Sequence, residues 1–189
     1  MNTNTVDQIL DTAQLLVQSV GFNAFSYADI SKEIGIRKAS IHYHFPNKAD
    51  LGEALVVRYH RGFVDALAQI DAGTQDDLER LRQFTLLYKA GPSQDFRLCL
   101  GVMYGADYVT LPEEVQGELT GYFATNLTWL EQVMDRGLQA GTLTFKGTAQ
   151  AEAHKFLAAL QGAQLLARSF KEIGKYDVIA EELITALVP

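Results

Sequence analysis

The sequence has a single cysteine in 189 residues, no surplus of basic residues (16 Lys and Arg against 23 Asp and Glu), and no apolar run approaching the ~18 residues a membrane span needs. Each absence excludes something. A lone Cys99 can form no intramolecular disulfide. No charged-then-apolar stretch marks the N-terminus as a secretory signal, so the expectation is a protein of the reducing cytoplasm, with no membrane partner. The net charge of −7 and pI near 5.0 argue, for the chain taken whole, against nucleic acid, because phosphate binding is driven by Lys and Arg releasing counterions. Signatures of chemistry are missing as well: there is no P-loop, dinucleotide-binding glycine pattern, zinc-protease helix or nucleophile elbow. His42, His44, His60 and His154 are scattered, and two histidines two residues apart on a helix point to different faces. No enzyme, metal or cofactor is expected.

The acidity is unevenly distributed. Residues 1–61 hold six basic residues (Lys32, Arg37, Lys38, Lys48, Arg58, Arg61) and six acidic ones (Asp7, Asp11, Asp29, Glu33, Asp50, Glu53), so the whole deficit lies beyond Arg61. Within the neutral part, Ile34 to Ala49 carries Arg37, Lys38, Lys48, His42 and His44 with no acid. An anionic partner would be met there.

Helical periodicity dominates. Val6, Ile9, Leu10, Ala13, Leu16, Val17 and Val20 form an apolar stripe closed by Gly21. Ser26 with Asp29 reads as a capping box for a short helix that Gly35 ends. Lys38 to Phe45 makes a third helix, with Ile41 and Phe45 facing the core, and Pro46 stops it. Asn47 and Asp50 cap a longer helix reaching the Asp71–Gly73 break, and further helices are expected near 75–90, 95–107, 112–140, 148–171 and 175–187. No alternating pattern exceeds Thr142 to Phe145. The fold class is all-α.

Two short helices joined by the Gly35-Ile36 turn make a helix-turn-helix, in which the first helix braces on the DNA backbone and the start of the second reaches base edges in the major groove. The alternative is a three-helix packing unit with a solvated basic face.

The run from Ile9 to Leu51 resembles the DNA-binding region of the TetR family of bacterial transcriptional repressors. The likeness lies in the Asp11-Thr12-Ala13 centre of the first helix, Gly21-Phe22, Ala28-Asp29-Ile30, Gly35-Ile36, Lys38-Ala39-Ser40, and Tyr43-His44-Phe45 followed by Pro46, Lys48 and Leu51. It implies an N-terminal helix-turn-helix domain (1–47), a connecting helix (48–70) and a C-terminal helical ligand-binding and dimerisation domain (71–189). It further implies a homodimeric, sequence-specific repressor released from a palindromic double-stranded DNA operator by a small effector. Carried onto this chain, Ser26, Tyr43 and Lys48 contact phosphates, with His42 beside them, and Arg37, Lys38, Ala39 and Ser40 lie nearest the bases. Two positions depart from the family pattern, His42 standing where tyrosine is common and Arg37 where Ser or Thr is; an arginine there can reach guanine O6/N7, a contact worth ~1–3 kcal/mol of discrimination. Met1 to Thr5 lacks Lys and Arg, so no minor-groove arm is expected.

In the C-terminal part, Phe156 to Ala167 is apolar all round except for Gln161 and Gln164, so that helix is buried on more than one side. Ala158, Gly162, Leu166 and Phe170, with Ile179, Leu183 and Leu187 of the last helix, form a candidate dimer face; the alternative is a central core helix of a monomer. Tyr88, Phe96, Cys99, Met103, Tyr104, Phe123 and Trp129, beside Gln161 and Gln164, are candidate lining for an apolar or aromatic effector. Cys99 reads as a buried structural thiol, with electrophile sensing as the alternative. The rival reading of the whole chain is an all-α dimeric carrier or enzyme whose N-terminal helices are only structural.

Overall fold

The computed structural model describes residues 5–189. Of the N-terminal segment without basic residues, Met1 to Asn4 therefore lie outside the described residues. Nine α-helices and two short 3₁₀ turns account for the secondary structure among them: α1 Thr5–Val20, a 3₁₀ turn Phe22–Ala24, α2 Tyr27–Ile34, α3 Lys38–His44, α4 Lys48–Gly73, α5 Asp77–Lys89, α6 Leu100–Asp107, a 3₁₀ turn Tyr108–Thr110, α7 Glu113–Ala140, α8 Ala149–Phe170 and α9 Gly174–Thr185. No described helix is long and apolar enough to cross a membrane.

The chain forms two compact units, each built from two stretches of sequence. The first joins the residues up to Arg61 with Cys99–Tyr122, and the second joins Gly62–Leu98 with Phe123–Pro189. In the first, the α1 stripe is buried through Ile9, Ala13 and Val17, as are Ile30 of α2, Ile41 of α3 and Leu51 and Leu55 of α4. Tyr104 of α6 completes this core, resting on Phe22 and donating its hydroxyl to Gly52 O at 3.4 Å. Gly52 is required there, because a Cβ would meet the Phe22 ring at 2.9 Å.

The second unit is organised by rings. Phe84 stacks on Trp129 (5.4 Å, 13°) and on Tyr88 (5.1 Å, 28°), while Phe63 approaches Phe84 and Tyr88 edge-on. Buried backbone carbonyls are met by side chains: the Gln164 amide donates to Tyr88 O at 2.8 Å and the Tyr176 hydroxyl to Thr85 O at 2.6 Å, as the cost of an unmet buried acceptor demands. After α7 the chain turns at Gly141, and Thr142 and Leu143 both donate back to Gly137 O. The stretch from Thr142 to Phe145 is not a strand.

One helix begins later than the periodicity predicts. α6 starts at Leu100 rather than near 95, because Asp95 and Phe96 are left-handed (φ 56° and 55°) and Gly91 lies so close to Arg97 O that a Cβ would approach it to 2.7 Å. Two consecutive left-handed residues are incompatible with an α-helix.

Candidate nucleic-acid interface

The reading head is assembled by local rules. Ser26 Oγ accepts from Ala28 N while Asp29 Oδ2 accepts from Ser26 N at 2.8 Å, forming the capping box at the start of α2. Bonding from Ser26, by its side chain first and then its backbone, holds the Asp29 carboxyl below the usual aspartate range. Gly35, left-handed at φ 72°, ends α2, and Ser31 Oγ donates to Ile36 O at 2.6 Å across the turn. α4 opens the same way: Asn47 Oδ1 accepts from Asp50 N, and Asp50 Oδ2 from Asn47 N.

With Ile41 and Phe45 buried, the other face of α3 is left to solvent: Arg37, Lys38, Ala39, Ser40, His42 and Tyr43 are all exposed, Tyr43 at 82%. The helix is thus presented by its small and basic residues at one end and by Tyr43 at the other. A concavity of 330 Å³ beside it is lined by Ser26, Tyr27 and Ala28 from the start of α2, Lys38 and His42 of α3, and Asn47 and Lys48 at the start of α4. The starts of α2 and α4 both border that region, and the positive dipole end of a helix favours an anion.

Two residues behave differently from a simple solvent-facing charge. Lys48 directs its ammonium inward, donating to Phe22 O and Phe25 O and lying 4.7 and 4.2 Å from the centres of both phenyl rings. Desolvation lowers its pKa from the ordinary lysine value, opposed by Asp107 and then Asp29. His42 packs its ring against Tyr27 at 4.8 Å and approaches Pro46 O through Nδ1 at 3.2 Å.

Tyr27, which the sequence reading did not single out, is the hub beneath this surface. Its hydroxyl donates to Phe45 O (2.9 Å) and Asn47 O (2.5 Å), fixing the α3–α4 corner, and burial, assisted by Asp50, pushes its pKa up to about 12. Its place directly after the Ser26 cap was the available signal. Asp107 was also missed, because it acts 85 residues from its partner, accepting from Phe22 N at 2.9 Å.

The nine candidate effector residues fall into both units. Cys99, Met103 and Tyr104 belong to the first. Cys99 is buried and caps α6, its Sγ accepting from Val102 N at 3.4 Å. Tyr88, Phe96, Phe123, Trp129, Gln161 and Gln164 belong to the second. There Tyr88 and Gln164 are core, Phe96 sits on the left-handed turn, Gln161 buries an amide nitrogen with no hydrogen-bond partner, and Trp129 lines a cleft described below. On the candidate dimer face, Ala158, Leu166 and Phe170 are exposed and Gly162, Ile179 and Leu183 half-buried. Leu187 does not share that face: at 1% exposure it fills its own unit's core, beside the Thr144 N–H bond to Leu187 O. Leu165 and Val178, exposed and apolar, were not predicted.

This fold and surface define a class: an all-α protein carrying a helix-turn-helix reading head and a separate helical unit. Residues 9–55 match the family model described as bacterial regulatory proteins, tetR family. The transcriptional regulator AcuR of Cereibacter sphaeroides is 30% identical over 152 residues, covering 78% of this chain and 69% of that one. A negative regulator of the biofilm operon in Staphylococcus epidermidis, IcaR, is 36% identical over 61 residues, about a third of each chain. Among solved structures, a TetR-family regulator from Agrobacterium tumefaciens superposes over 97% of both chains with 34% identity and a TM-score of 0.93. One from Legionella pneumophila covers 99% of this chain and 100% of that one, with 28% identity and a TM-score of 0.90. The chain belongs to the TetR family of bacterial regulatory proteins: it is a transcriptional regulator with a DNA-binding helix-turn-helix.

Proposed function

We propose that the protein is a cytoplasmic homodimeric repressor whose two reading heads occupy the half-sites of a palindromic operator and leave it when a small effector binds the C-terminal domain. The observation that carries this reading is the acid-free, solvent-facing surface of α3 from Arg37 to Tyr43, flanked by the starts of α2 and α4. Arg37, Lys38, Ala39 and Ser40 read bases, with Ser26, His42 and Tyr43 on the phosphates; Lys48 acts mainly by holding the Phe22–Phe25 loop. Two-fold symmetry matches half-sites about one helical turn, ~34 Å, apart. The apolar stripe of Leu165, Leu166 and Phe170 on α8, with Val178 on α9, supports pairing of two copies, since such patches on a protein surface mark interaction sites. Residues 1–47, 48–70 and 71–189 then serve as reading head, connecting helix and ligand-binding and dimerisation domain. The effector acts by binding one arrangement of the reading heads better than the other, and shifts the equilibrium only by that difference.

A mobility shift on the DNA upstream of its own gene, at low and moderate salt, tests the reading. Wild type should form one discrete complex, weakened by Lys38→Ala and by Tyr43→Phe. Absence of binding at low salt, or variants that bind as well as wild type, overturns it.

A further inference from the structure

The second unit contains a cleft of 490 Å³ between the later turns of α4 and the middle of α7, with Val64 and Leu67 on one wall, Trp129 opposite, and Asp71, Thr128 and Gln132 at its margins. Its body is apolar and its one ionisable lining group is Asp71. That carboxylate is held in place rather than used up: Oδ2 accepts the Trp129 indole N–H at 2.9 Å, Oδ1 lies 3.1 Å from Arg80 Nε, and the side chain is still 43% exposed. Arg80 is itself divided, with a shorter contact of 2.8 Å to Asp77, which Arg136 also approaches at 3.1 Å. Oδ1 is buried against Arg80, so the exposed part of the carboxylate is Oδ2, whose second lone pair can accept from a further donor.

Arg80 sits behind Asp71, but the residues that line the cleft and its neighbour carry charge of one sign only. A second cleft of 670 Å³ adjoins it, sharing Thr128 and Gln132, and contributes Glu131 and Asp135. No Lys or Arg lines either cleft. An oriented carboxylate at the edge of an aromatic and aliphatic surface is the combination that recognises an organic cation, whose charge meets the acid while its body covers the ring. We propose that this cleft binds a small amine or ammonium compound carrying an apolar group, with Asp71 as the charge partner and Trp129, Val64 and Leu67 as the apolar surface. This rests on the reading of the C-terminal domain as the effector-binding part, and names its ligand class.

Trp129 is the only tryptophan in the chain, so its emission reports on the cleft directly. Full-length protein titrated at neutral pH with phenethylamine, 2-phenylethanol and 3-phenylpropionate separates cation, neutral and anion on similar bodies. A saturable emission change is expected with phenethylamine, at least tenfold weaker with the alcohol and absent with the carboxylate. Asp71→Asn should weaken the amine at least tenfold. Ala68→Phe, at an exposed position of the wall, should block it without touching the Asp71 contacts, which guards against misfolding of the first variant. No saturable response, equal response to the anion, or amine binding unchanged in both variants overturns the proposal. Operator release is read separately: amine bound without release upholds the cleft assignment while overturning the effector reading, and release by other compounds without amine binding does the reverse.

Discussion

Asp107, the last residue of α6, accepts the backbone N–H of Phe22 at 2.9 Å, and Thr110 just beyond it accepts from Asn23 Nδ2 at 2.7 Å. The loop that leads into the helix-turn-helix is therefore gripped from one side by α6 and its following turn and from the other by Lys48. Asp107→Ala should destabilise the protein by about 1.5–3 kcal/mol, the range for losing a hydrogen bond to a charged group, and should weaken operator binding. Urea unfolding and a mobility shift check both; Asp107→Asn should recover part of each.

Lys48 and Lys38 are both basic residues of the reading head with opposite expected behaviour. Lys38→Ala should leave stability within about 0.5 kcal/mol, as for an exposed side chain, while flattening the log–log salt dependence of DNA affinity by about one unit. Lys48→Met keeps the aliphatic stem but strands two carbonyls, and should cost about 1–2 kcal/mol of stability with the salt slope unchanged. An equal flattening by both variants would place the Lys48 ammonium on a phosphate in the complex.

Alkaline pH should loosen the α3–α4 corner through Tyr27. Its pKa is raised from 10.0 to about 12 in the folded protein, so the folded state holds its proton where the unfolded chain releases it. The stabilisation is complete below pH 10 and is lost as pH rises toward 12. Tyr27→Phe should make pH-dependent unfolding in this window shallower, while costing about 1 kcal/mol at neutral pH for the acceptors left at Phe45 and Asn47. Half-buried Tyr59 and buried Tyr104, whose pKa values are also raised by desolvation, keep some alkaline sensitivity in the variant.

Gly137→Ala should be among the costlier single substitutions in the second unit. A Cβ there would overlap Cδ1 and Cγ of Leu143, and Leu143 is buried. The turn must shift to admit it, at about 1–3 kcal/mol by the usual cost of overpacking. Thermal unfolding measures the loss.

Lys171→Gly should stabilise. Lys171 ends α8 in the left-handed conformation at φ 54°, which costs a side-chain-bearing residue ~1–2 kcal/mol and glycine nothing. After glycine's extra chain entropy, a gain of about 0.5–1 kcal/mol is expected in denaturant titration.

The reading head was legible in the sequence because its structure is fixed by neighbours: Ser26 with Asp29, Gly35, Pro46, and Asn47 with Asp50 are signals within a few residues of what they determine. Three of them, Asp29, Gly35 and Pro46, are also among the positions that carry the family resemblance. The start of α6 was not legible, since Asp95 and Phe96 reach the left-handed region without being glycine, the residue that advertises it. Leu187 was misplaced because, at the end of a helix, apolar spacing alone does not say which of two surfaces a side chain meets. Lys48 is the most instructive position: a lysine at a helix start satisfies either an external phosphate or the chain's own carbonyls, and the sequence is the same in both cases. The cleft beside Trp129 was foreshadowed only by that residue, because Val64, Leu67 and Asp71 approach α7 from nearly 60 positions earlier in the chain.

The first unit is discontinuous, made of the residues up to Arg61 together with Cys99–Tyr122. Modularity in this protein therefore does not follow the order of the chain. A chimera cut after α4 to graft this reading head onto another regulator would separate Phe22 from Asp107, Asn23 from Thr110 and Gly52 from Tyr104. Transplantable specificity here has two pieces, and recombination that exchanges them together keeps what a single crossover would break.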